Sequence, residues 1–136
     1  MPVKKHFYYS LKTIILLPLI VFFSDIIFKY NFGVETYIGY KIDKIFHFFG
    51  GLVISISTAG ILCNLKYKRM ILLQDEKVFR LLIFGILCFT VIVWEIYEYL
   101  VFHPDEHLNY TDTISDMIWG LAGGIIAMVV IKRLDY

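Results

Sequence analysis

Six residues able to ligate a cation or move a proton fall in three short segments: Asp43 and His47 in DKIFH, Glu95 and Glu98 in WEIYE, Asp112 and Asp116 in DTISD. Each pair is spaced i,i+3 or i,i+4, which on a helix puts both side chains on one face. Oxygen-rich sets suit hard or borderline divalent ions, and an added imidazole suits Zn, Mn or Fe. The chemistry expected is a divalent metal centre (Zn, Mn, Fe or Mg) with Asp43, His47, Glu95, Glu98, Asp112 and Asp116 as ligands. A metal there activates water against a phosphate or ester, with Glu98 or Asp116 as general base. No Ser-His-Asp order and no Gly-rich phosphate loop competes. Five carboxylates and an imidazole in one pocket cannot all ionise unaided, so protons or cations must compensate. Lysines are the other remedy: Lys29 or Lys44 pairing with Asp25 or Glu98 would make an ion network without a ligand. Asp43 and Asp112 also stand where helix caps belong.

The elements that must position these residues are membrane spans. The 136 residues are 59% hydrophobic, 18% aromatic and 18% charged, with mean hydropathy +0.71, whereas a water-soluble domain carries about 25% charged residues. Disorder is excluded by the hydrophobicity. The net charge of +1 gives no basic stripe for nucleic acid. Two cysteines, Cys63 and Cys88, make no disulfide framework. Four stretches reach the roughly 20 apolar residues a spanning helix needs: 11–30, 43–65, 80–102 and 112–131. The fold expected is all-α, a polytopic membrane protein built as a four-transmembrane-helix bundle, with residues 1–136 one integral membrane domain.

Orientation follows from the basic residues, which favour the cytoplasmic side. Lys4, Lys5 and Lys12, the 66–80 connection, and Lys132 and Arg133 hold ten of the thirteen. Both termini are therefore expected in the cytoplasm of a bacterial cell, and both cysteines in the inner half of the membrane as reduced core thiols. The first span lacks a small-residue cleavage site and reads as a retained helix. The acids sort oppositely: Asp25, Glu35, Asp105 and Glu106 join the ligand candidates toward the outside, as do His103 and His107. At about 1.5 Å rise per residue, Asp25, His47, Glu98 and Asp116 lie within roughly one turn of a common level. Lipid-facing positions hold such groups poorly, so their faces should turn inward and meet.

A weak repeat supports this arrangement. DKIFH and DTISD align at an offset of 69, and Gly51-Leu52 then matches Gly120-Leu121. The chain thus reads as two pseudo-repeated helical hairpins. Gly50, Gly51, Gly120, Gly123 and Gly124 lie one or two turns below the acids, where small residues allow close helix contact. Trp94, Tyr97, Tyr99, Tyr110 and Trp119 surround the charged level as an interfacial belt, or as the lining of an acyl-chain groove.

DKIFHFFGG, WEIYEY and YTDTISDMIWGLAGG together resemble the motifs of VanZ-like and YjdF-like small bacterial inner-membrane proteins, over roughly residues 43 to 127. The matching positions are Asp43, Lys44, His47, Phe48, Glu95, Glu98, Asp112, Thr113 and Asp116. The resemblance implies an integral envelope protein, and VanZ-like members are associated with glycopeptide resistance. The function expected is an outward-facing metal site that hydrolyses a lipid-linked or amphiphilic substrate, with membrane lipids as neighbours and no nucleic acid as partner. The alternatives are non-enzymatic: cation or amphiphile binding, transport, envelope protection, or salt bridges that serve structure alone.

Overall fold

The computed structural model describes residues 11–33, 36, 38, 41–102 and 110–133, and every regular element among them is helical. α1 spans Leu11–Phe32, α2 Ile42–Tyr67, α3 Glu76–Phe102 and α4 Tyr110–Arg133. They are 22, 26, 27 and 24 residues long. At about 1.5 Å per residue, each matches or exceeds a bilayer core of roughly 30 Å. All four are long and apolar enough to cross a membrane, so the four-helix membrane bundle expected from composition is the fold.

Local signals set the helix ends. α3 begins four residues before Arg80 because Asp75 caps it, its Oδ1 accepting the Lys77 N–H at 2.7 Å. Arg80 then pairs with Glu76 one turn away, so residues that look interfacial lie inside the helix. α2 follows Lys41, which is left-handed at φ 56° and makes no side-chain cap. Asp43 is thus not the cap. At the far end of α2, Arg69 is left-handed at φ 57°. The Arg69 and Met70 N–H groups reach back to the Lys66 and Leu65 carbonyls at 3.0 and 2.9 Å, the double closure of a Schellman motif.

Polar side chains are buried and many large apolar ones are exposed. The buried set includes Asp25, Lys29, Asp43, His47, Ser55, Ser57, Thr58 and Asp116, while large apolar side chains such as Phe23, Leu81, Phe89 and Ile118 are exposed. In water such a surface would aggregate; facing lipid it is the expected arrangement.

α2 and α4 form the closest seam. A Cβ on Gly51 would collide with the Gly120 carbonyl, and one on Gly123 with the Phe48 carbonyl. Only glycine permits this backbone-on-backbone approach, as in other small-residue contacts within lipid. Gly50 stands apart from the seam: nothing lies within 4 Å of where its Cβ would be. One residue is a rotation of about 100°, enough to turn Gly50 off the contact face.

α1 docks on α2 through its own defect. Pro18 has no N–H, which leaves the Ile14 carbonyl without its helical partner. The Ser57 hydroxyl of α2 donates to that carbonyl at 2.6 Å, and the Ile14 side chain rests on Gly60. Nearby, Ala59, Phe79, Ile83 and Ile131 form a buried apolar cluster with Cys63 beside it. Cys63 and Cys88 are both partly buried.

Candidate functional site

The acidic residues of the four helices do meet. Asp25 lies late in α1, Asp43 and His47 early in α2, Glu95 and Glu98 late in α3, Asp112 and Asp116 early in α4. The helices therefore alternate in direction and gather these groups at one end of the bundle. Glu35, His103, Asp105, Glu106 and His107 lie outside the described residues.

Two lysines organise the gathering. The Lys44 ammonium contacts Asp43 Oδ2 at 2.8 Å, Asp112 Oδ1 at 2.5 Å and Asp116 Oδ1 at 2.5 Å. It stitches α2 to α4 and sits among three carboxylates that would otherwise suit a metal, their oxygens within 4.8 Å of one another. Lys29 does the same for α1 and α3. It bonds Asp25 Oδ2 one turn back at 2.9 Å and also Glu98 Oε1. Trp94 Nε1 donates to that same Glu98 oxygen at 2.7 Å.

His47 lies between the two lysine groups. Glu98 and Asp116 each give one oxygen to a lysine and turn the other toward the imidazole. His47 Nε2 is 3.6 Å from Glu98 Oε2 and 3.9 Å from Asp116 Oδ2, while Nδ1 is 3.5 Å from Glu95 Oε1. These separations are too long for hydrogen bonds. His47 is 6% exposed and the Glu95 side chain 9%, yet His47 Nε2 and Glu95 Oε1 have no hydrogen-bond partner. Buried polar atoms are normally satisfied, so an unpartnered atom on each side of one imidazole calls for a missing partner.

The gap fits a small cation. Ligands about 2.1 Å from one tetrahedral ion stand about 3.4 Å apart, and on the Nε2 side of the ring Glu98 Oε2 and Asp116 Oδ2 stand 3.6 and 3.9 Å from the nitrogen. His47, Glu95 and Glu98 offer ligand atoms that all lie within 4.8 Å of one another. Charge points the same way. Among the described residues, Asp25, Asp43, Glu95, Glu98, Asp112 and Asp116 surround two ammonium groups. Buried charge left so unbalanced requires protons or a further cation.

All six ligand candidates from the sequence are thus in one cluster, but in two roles. Asp43 and Asp112 face Lys44; His47, Glu95, Glu98 and Asp116 line the gap. The lysine pairing weighed for Lys29 is present with both Asp25 and Glu98. The three-acid embrace of Lys44 and the Trp94 bond to Glu98 were missed. The i,i+4 spacing of Trp94 and Glu98 is the signal that could have found the second.

Residues 3–135 match a family described as "Predicted membrane protein (DUF2238)", and the chain belongs to that family. It is thus an integral membrane protein by family as well as by fold. No curated protein and no solved structure matches the chain.

Proposed function

We propose that this protein is a cation-dependent membrane protein in which His47, Glu98 and Asp116 would hold a divalent ion, with Glu95 on the Nδ1 side of the ring. The observation that carries the reading is the buried, unpartnered Nε2 facing two carboxylate oxygens. Glu95 fits the carboxylate that commonly orients a ligating histidine. Asp43 and Asp112 act at one remove, by keeping Lys44 in place. When bound, a Zn, Mn, Fe or Mg ion would supply Lewis acidity and acidify a water.

The reaction proposed is hydrolysis of a phosphate or ester on an amphiphile. Glu98 and Asp116 are the groups placed to accept a proton in the gap. The motif likeness to VanZ-like and YjdF-like proteins and the basic-residue asymmetry support a bacterial cytoplasmic membrane location with this end outward. Transport is less well supported. Away from the charged end, Ser57 is engaged with the Ile14 carbonyl, and the helices close on the cluster around Ala59 and Ile83.

Elemental analysis of the purified protein beside a His47→Ala variant tests the reading. Bound divalent ion is expected in the first and not in the second. A saturating ion should also add stability, about 2.7 kcal/mol at a hundred times Kd, and so raise the melting temperature. A wild-type protein that holds no divalent ion and melts alike with and without chelator refutes it. That result would leave the second reading, favoured by the two lysine clusters: a structural ion network.

A further inference from the structure

α1 and α3 touch through side chains near the charged end and part below them. Phe22 meets Trp94 edge-on at 5.1 Å and Tyr97 at 5.4 Å, and Lys29 reaches Glu98. Beneath these contacts lies a cleft of about 390 Å³, walled by α1 and α3 and backed by the glycine seam of α2 and α4. It extends along α3 from Tyr97 to Leu87, roughly 15 Å at 1.5 Å per residue.

The lining is apolar in effect. The Thr90 hydroxyl donates to the Ile86 carbonyl at 2.8 Å, and the Trp94 N–H is engaged by Glu98. His47 stands at one end, with its unpartnered Nε2. Beside the cleft, Leu19 and Val93 are 44% and 45% exposed on helices that face lipid. Water needs two to four polar partners to settle in a cavity, and this one does not offer them along its length. In a bilayer, hydrocarbon is what fills such a space.

We infer that the cleft holds one hydrocarbon chain of an amphiphile, entering sideways between α1 and α3 with its polar head at His47. The head's position rests on the cation seat proposed above; the chain's position does not. Transfer from bilayer to cleft gains little from hydrophobicity, because both are apolar. The cleft therefore selects by shape, and the charged end supplies affinity. Gly50 lines this space and leaves it open, which accounts for its separation from the seam.

The test uses Trp94 as reporter in phosphatidylcholine nanodiscs, with Trp119→Phe removing the other tryptophan. The probe is bromododecyl phosphate, whose bromine quenches a nearby indole. Saturable quenching is expected, reversed by unbrominated dodecyl phosphate. Adding Gly50→Leu, or independently Thr90→Phe, should weaken it at least tenfold while leaving divalent-ion binding unchanged. Quenching that merely tracks bulk probe and is equal in all three proteins means an annular lipid only, and overturns the inference. Saturable quenching that survives loss of the ion in His47→Ala supports the cleft and removes the cation seat from the explanation. Ion binding without saturable quenching does the reverse.

Discussion

The two ends of this bundle are held by different forces. At the charged end, Lys29 and Lys44 join helices through carboxylates from all four elements. At the other end, Ala59, Phe79, Ile83 and Ile131 pack with no polar side chain among them. In lipid, apolar packing has weak drive and must rely on fit, whereas ion pairs are directional and poorly tolerated when broken. The difference shows where each helix gets its register. The charged end adds directional pairing between helices, and below it the glycine seam and the apolar cluster hold by fit.

Lys44→Met attacks the charged end and should have the largest effect. It leaves Asp43, Asp112 and Asp116 together without their cation, and removing one partner of a buried pair costs about 3–5 kcal/mol. Unfolding in mixed micelles would measure it, and adding Asp116→Asn should restore part of the loss. Wild-type stability in Lys44→Met would show that the ion pairs do not hold this end.

Ile83→Ala attacks the apolar end. Ile83 is 1% exposed, and such truncations cost about 3 kcal/mol. Divalent-ion affinity should not change, since the site lies at the other end. An equal loss of ion binding would mean that the two ends are coupled.

Glu95→Gln sharpens the comparison within the charged end. It keeps the shape and removes the carboxyl group beside Nδ1, so ion affinity should fall about tenfold with little change in unfolding. Calorimetric titration of the ion would report it, and an unchanged affinity would remove Glu95 from the site. The smallest effect should come from Ser57→Ala, which strips the one bond to the Ile14 carbonyl. About 1 kcal/mol is expected, and a stability scan showing none would make that bond incidental to α1 docking.

Much of this organisation is legible in the sequence. The spans stood out because lipid demands apolar length, and the common level of Asp25, His47, Glu98 and Asp116 followed from helical rise. What eluded the reading depends on side-chain reach and inter-helix spacing. Lys44 stands next to Asp43 in the chain, yet its ammonium crosses to two acids of another helix. No periodicity encodes that choice. Gly50 and Gly51 are neighbours of one type, and only the rotation of α2 decides that one meets backbone and the other an open cleft. α3 starts four residues ahead of the span expected from Arg80, because Asp75 caps the helix before Glu76, Lys77 and Arg80, which look interfacial.

The lysines are distributed unevenly between the hairpins. α1 carries Lys29 with its own acid Asp25, and α2 carries Lys44 with Asp43. Near this level α3 and α4 bring Glu95, Glu98, Asp112 and Asp116 but no lysine or arginine of their own. The leading half can thus enter the bilayer with its charges already matched, whereas the trailing half brings acids that find their counter-ions only on what was inserted before it. Biogenesis acquires a direction: residues 76–133 expressed alone should insert poorly, and supplying residues 1–75 as a separate fragment should recover them, measurable by protease protection.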